Sequence, residues 1–187
     1  MTRLSVKVCG ITSPEDGVAA AEAGADAVGM VFWPRSPRAV SVEQARAIGQ
    51  ALPPFVVRVG VFVDAGRDEM ARVAEAAGLD MLQLHGDEPP EGCAGLPRRA
   101  LKAVRVGAAF APESALLYEG RVAGLLLDTG GDDAPGEPGR GACLVIRGSP
   151  HRSARATAGC AARRRHASGA RRWAGSRSSH CARCNPG

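Results

Sequence analysis

Four side chains able to move a proton or hold a charge sit at or just beyond short apolar runs in the first 128 residues: Cys9, Arg38, His85 and Asp128. Cys9 lies late in Val6-Lys7-Val8-Cys9, and Gly10 behind it would let a substrate approach the backbone. A thiol with a lowered pKa exchanges protons near neutral pH, whereas a free cysteine of the core only packs. Asp128 ends the run Leu125-Leu126-Leu127, where partial desolvation favours the protonated acid and suits it to donate; the alternative is an aspartate that caps the following loop. Arg38 closes Pro34-Arg35-Ser36-Pro37-Arg38, a loop from which a guanidinium either grips a carboxylate with two hydrogen bonds or stays in solvent. His85 precedes every other histidine by more than sixty positions and either bonds a substrate or holds a turn.

These residues need elements to position them. Short apolar runs at 6–11, 27–32, 58–63, 81–85, 101–106 and 124–128 recur about every 24 residues and alternate with segments of helical period, the pattern of parallel strands joined by helices. The helices carry start and stop signals. Ser13-Pro14-Glu15-Asp16 offers a cap, a proline at the first helical position and acids in the first turn. Ser41 with Gln44 makes a capping box for 41–51, 68–77 is a third helix, and Gly24 and Gly78 stand where a left-handed C-cap favours glycine. Polar groups recur at the strands' C-terminal ends: Cys9, Trp33 with Arg35 and Arg38, Asp64, His85 with Asp87, Arg105 and Asp128. In a (β/α)₈ TIM barrel those ends converge on one mouth, and no Gly-x-Gly-x-x-Gly follows the first strand as an open dinucleotide-binding sheet would require. We therefore expect an α/β barrel, incomplete at six recognisable units, with strands seven and eight missing.

Five ordered segments closely resemble phosphoribosylanthranilate isomerases of tryptophan biosynthesis: Lys7-Val8-Cys9-Gly10-Ile11-Thr12, Phe32-Trp33-Pro34-Arg35-Ser36-Pro37-Arg38, Arg58-Val59-Gly60-Val61-Phe62-Val63, Gln83-Leu84-His85-Gly86 and Leu125-Leu126-Leu127-Asp128-Thr129. The resemblance covers residues 4–131. It implies a TIM barrel that performs an Amadori rearrangement, an aldose-to-ketose isomerisation, without metal or cofactor. It also implies Cys9 as general base, Asp128 as general acid and Arg38 on the anthranilate carboxylate, with Gly10, Gln83 and His85 completing the substrate site. Other small phosphosugar barrels are the alternative. A metal-dependent epimerase would need paired histidines and aspartates at strand ends, and an indole-glycerol-phosphate synthase relative uses lysines, of which the chain has only Lys7 and Lys102.

Charge divides the chain in two. Residues 1–137 hold 13 Lys and Arg against all 19 Asp and Glu, a net of −6, while residues 138–187 hold 11 Arg and no acid. We expect a partial barrel domain over 1–137 and an arginine-rich, disordered tail over 138–187. The tail matches no further part of the family and lacks apolar periodicity, apart from the strand-like Leu144-Val145-Ile146. Its composition is that of a GC-rich gene read out of frame, with the change near codons 136–142. A tail of +11 supports non-specific polyanion binding, and a specific nucleic-acid module is not expected. Cys181-Ala182-Arg183-Cys184 with Cys160, His166 and His180 has zinc-binding residue types, but a single Cys-x-x-Cys without a second pair is a weak metal pattern, so no metal is expected. No run reaches the ~18 apolar residues of a membrane span, and the N-terminus lacks a signal peptide's basic start and apolar stretch, which predicts a cytoplasmic protein acting on a small-molecule substrate. Trypsin should trim the tail first, because it lacks the apolar surface to offset its conformational entropy. Protection of residues 163–172 under conditions that cut the barrel part would contradict this.

Overall fold

In the computed structural model, residues 5–107 and 110–128 are described in full, and 143–146 and 159–160 by their backbone. Six parallel strands follow the chain order, β1 (Lys7–Cys9), β2 (Ala27–Val31), β3 (Val57–Phe62), β4 (Met81–Leu84), β5 (Arg99–Arg105) and β6 (Gly124–Asp128), each hydrogen-bonded to the next. They form the half-barrel expected from the alternating runs, and every one of the six expected strands is present, the sixth with its expected ends and the others with ends shifted by one to two residues.

The helices start where their capping residues stand. Ser13 Oγ accepts from Asp16 N ahead of α1 (Pro14–Glu22), and Ser41 and Gln44 close a reciprocal capping box on α2 (Val42–Ala51). α3 (Arg67–Ala77) ends on Gly78 at φ 67°, the left-handed cap. The sequence signals missed two short elements in the connections, a 3₁₀ turn at Pro90–Cys93 and α4 (Pro112–Leu116). Their one or two turns are too brief for an apolar period to show.

Two short strands from the second part extend the sheet. β7 (Cys143–Ile146) contains the strand-like Leu144-Val145-Ile146 and pairs with β6, while β8 (Gly159–Cys160) pairs in parallel with β1. They stand beside β6 and β1, where a barrel's seventh and eighth strands would be. However, β7 runs antiparallel, with Cys143 opposite Asp128 and Ile146 opposite Leu125. The rest of 138–187, including His166, His180, Cys181 and Cys184, lies outside the described residues.

The main core lies between the sheet's outer face and the helices. Val28, Met30, Phe62, Leu82 and Leu84 meet Ile48, Met70, Val73 and Ala77, and the Phe32 and Phe62 rings stack with centroids 5.2 Å apart. Full burial of such side chains stabilises by roughly 1.5–3 kcal/mol each.

The same outer face holds an ion pair. Lys102 Nζ donates to Glu88 Oε2 at 2.9 Å and to the Gly86 and Ala103 carbonyls, with both side chains at most 8% exposed. Glu88 Oε1 accepts from the backbone N–H groups of Asp64 and Gly86, and Tyr118 donates to the Glu88 carbonyl. Asp64 Oδ1 in turn accepts from Asp87 N. The loops after β3 and β4 are thereby fastened to β5. This places Lys102 away from the strand-end mouth, in a brace and not among catalytic lysines. Lys102→Met leaves a buried carboxylate facing its N–H donors without its cation and should cost about 3 kcal/mol in urea unfolding. The double substitution with Glu88→Gln should recover part of that loss; a single variant within ~0.5 kcal/mol of the parent would show that the pair braces nothing.

Candidate active site

Side chains alternate across a strand, so the core assigns the faces. Val28, Met30, Phe62, Leu82 and Leu84 point to the helices, and their neighbours in the ladder, Cys9, Gly29, Val61, Gln83, Leu126 and Asp128, therefore share the concave face. Cys9 and Asp128 close the first and last of the six parallel strands, at opposite rims of that face.

At the β1 rim, Gly10 has φ 82°, and a Cβ there would lie 2.5 Å from Arg38 Nη1. Only glycine leaves room for the guanidinium, whose Nη1 donates to the Cys9 carbonyl at 3.4 Å. Arg38 is held in turn by a loop in which Ser36 Oγ accepts from its backbone N–H at 3.2 Å. A second glycine clears space for the thiol itself: a Cβ on Gly29 would stand 2.7 Å from Cys9 Sγ and 2.9 Å from Lys7 Nζ. Lys7 and Cys9, two residues apart on one strand, thus share the space over Gly29.

At the β6 rim, His85 Nε2 lies 3.2 Å from Asp128 Oδ2, with both side chains 6% exposed. Gln83 Nε2 donates to His85 Nδ1 at 2.9 Å. The Gln83 Oε1 atom is buried without a hydrogen-bond partner among the described residues. Arg105, exposed, pairs in register with Asp128. A cation and a thiol on one rim and a carboxyl on the other suit proton transfer to and from a small anionic substrate lying between them.

The structure brings the expected residues into two groups, Cys9, Gly10 and Arg38 at one rim and Gln83, His85 and Asp128 at the other. The sequence showed Gly10 in its motif but not the clearance at Gly29, which depends on strand pairing. It also showed nothing of the Glu88 brace, whose partners are 14 and 24 positions away. Among the described residues, no group of three or more His, Cys, Asp or Glu could hold a metal ion, and no helix is long and apolar enough to cross a membrane.

Cys93 is the contrasting thiol. It is 1% exposed, and burial pushes it up from the ordinary thiol range. In the folded chain at neutral pH, iodoacetamide should modify the half-buried Cys9 well before Cys93, a difference that peptide mapping by mass spectrometry reads directly. Equal labelling of both would contradict the assignment of a working thiol and a packing thiol.

Known proteins converge on one family. Residues 6–144 match the family described as N-(5'phosphoribosyl)anthranilate (PRA) isomerase. The N-(5'-phosphoribosyl)anthranilate isomerase of Pseudomonas syringae pv. tomato is 52% identical over 139 residues, 74% of this chain and 68% of the relative; that of Pseudomonas putida W619 is 51% identical over the same span. Among solved structures, the phosphoribosyl anthranilate isomerase of Thermotoga maritima superposes with a TM-score of 0.66 at 44% identity, over 72% of this chain and 66% of that one. Another, a phosphoribosyl anthranilate isomerase in complex with reduced 1-(o-carboxyphenylamino)-1-deoxyribulose 5-phosphate, has a TM-score of 0.64 at 45% identity, over 67% of this chain and 65% of that one. The chain thus spans about two thirds of the length of the relatives it matches.

Proposed function

Since the chain belongs to the N-(5'-phosphoribosyl)anthranilate isomerase family, we propose that its half-barrel carries the acid and the base of the aldose-to-ketose rearrangement of tryptophan biosynthesis, on a substrate joining anthranilate to a phosphorylated ribose. The family match also sets aside the epimerase and synthase alternatives.

The rearrangement needs a proton delivered and a proton removed. Asp128 protonates the ribose ring oxygen; the C1–O bond breaks and the anthranilate nitrogen's lone pair forms the C1=N bond of the open chain. Cys9 then takes the proton from C2, the C2–H electrons form the C1=C2 bond, and the C1=N electrons return to nitrogen to give an enolamine. Ketonisation at C2 with protonation at C1 completes the product. One acid and one base on opposite sides of the sugar suffice. Arg38, beside Cys9, would hold the anthranilate carboxylate in bidentate fashion and so set which carbon faces the thiol. Gly10 leaves the backbone open at that point, and His85, bonded in turn by Gln83, holds Asp128. The observation that carries this reading is the shared concave face of Cys9 and Asp128 at opposite rims.

The substrate's phosphate is the weak point of this chain. In TIM barrels a phosphate site is frequently built from the loops after strands seven and eight. Here β7 is antiparallel, so its outgoing end points to the opposite side of the sheet from the mouth, and β8 has two residues. Loss of remote binding energy lowers kcat as well as affinity. The half-barrel and the closing strands are therefore tested separately. A chimera of residues 5–128 with the remaining third of the Pseudomonas syringae relative should complement a tryptophan auxotroph lacking the isomerase. In that chimera Cys9→Ala should lower kcat about 10²-fold or more with little change in KM. Asp128→Asn should abolish the acidic-group limb of its pH profile. A Cys9→Ala chimera within about threefold of its parent would show that Cys9 only packs.

A further inference from the structure

The polar chain beside Asp128 has a direction. The Gln83 amide nitrogen carries hydrogens and no free lone pair, so facing His85 Nδ1 at 2.9 Å it can only donate, and Nδ1 can only accept. A neutral imidazole that accepts at Nδ1 carries its hydrogen on Nε2, which lies 3.2 Å from Asp128 Oδ2. Oδ2 therefore receives a hydrogen bond from the ring. The contact spans β5: continuing the Leu84–Lys102 register by one residue sets His85 against Ala103, whose single methyl lets the ring pass from β4 to the end of β6.

Stability alone does not account for the amide. Gln83 is 2% exposed, and its Oε1 has no partner among the described residues. A buried carbonyl oxygen left unpaired destabilises a fold, and an apolar side chain of similar shape would avoid that cost. The hydrogen bond through Nε2 is what an apolar replacement would lose.

We propose that Gln83 is a positioning residue that sets the tautomer of His85, so that His85 Nε2–H occupies Asp128 Oδ2 and Oδ1 is the oxygen that carries the proton to the sugar. The proposal rests on Asp128 as the acid, and it assigns that role to one of the two carboxyl oxygens. With the opposite tautomer, a bare Nε2 would face Oδ2 and compete with the substrate for the carboxyl proton.

Histidine tautomers are read directly by long-range ¹⁵N–¹H spectra of the full chain labelled with ¹⁵N-histidine. The His85 signals are assigned by their loss in His85→Asn, and the pH is held well above the ordinary histidine range, near ~8.5. The parent chain should show His85 Nδ1 unprotonated and Nε2 protonated. Gln83→Glu, which presents only acceptors, should protonate Nδ1, alone or together with Nε2; Gln83→Leu, which presents neither, should weaken the bias. A protonated Nδ1 in the parent chain would overturn the proposal even if neither variant folded. So would an unchanged tautomer in folded Gln83→Glu and Gln83→Leu. The spectra need no substrate and no turnover, so they stand apart from the role of Asp128 as acid. If the chimera keeps its acidic limb with Asp128→Asn while the tautomers behave as stated, the acid lies elsewhere, Gln83 still orients His85, and the assignment of the transferred proton to Oδ1 falls.

Discussion

The two-residue alternation of a parallel ladder governs this molecule. Each strand gives one set of side chains to the helices and the other to the concave face. Because the six strands pair in register, a shift of one residue in any strand would exchange the sets. Phe62, Leu82 and Leu84 hold the register from the outer side by their burial against α2 and α3. Gln83 is turned inward because Leu82 and Leu84 are turned outward, and the same logic sets Cys9 against Val8 and Asp128 against Leu127. The chemistry of the concave face is thus positioned by the packing of the convex one.

What alternation cannot do is hold the loops, and there buried polar groups take over. Lys102 and Glu88, on the outer face, tie the loops after β3 and β4 to β5 through the Asp64 and Gly86 backbone. His85 leaves β4 at the start of the second of these loops, so the brace on the outside also steadies the histidine on the inside. On β1 the corresponding job falls to missing side chains: Gly10 admits Arg38 and Gly29 admits the thiol.

Much of this was legible in the sequence. The six apolar runs gave their strands because each is short and apolar, the first four set apart by helix signals, and Ser13, Ser41 and Gly78 cap their helices through local hydrogen bonds or a left-handed turn. The candidate site residues Cys9, His85 and Asp128 stood out by type and by their place at strand ends, and Gln83 through the family motif. Hidden were the contacts that join distant positions: Gly29 beneath Cys9, Glu88 on Lys102, His85 on Asp128. These follow from strand pairing, which no local pattern encodes. The direction of β7 was hidden for the same reason, since Leu144-Val145-Ile146 reads as a strand equally well either way.

That direction matters most for function. In a closed barrel every strand sends its outgoing loop to the same mouth; β7 meets Asp128 with its incoming end and delivers its outgoing end to the far side. The proposed acid, base and carboxylate-binding arginine all lie on the half-barrel, whereas the phosphate grip proposed for the loops after strands seven and eight depends on the second part of the chain. The most direct measurement is steady-state turnover of N-(5-phosphoribosyl)anthranilate by the purified full chain. A rate far below ~1 s⁻¹, the low end for enzymes, is expected, and turnover above that value would show that the second part of the chain completes the active site after all.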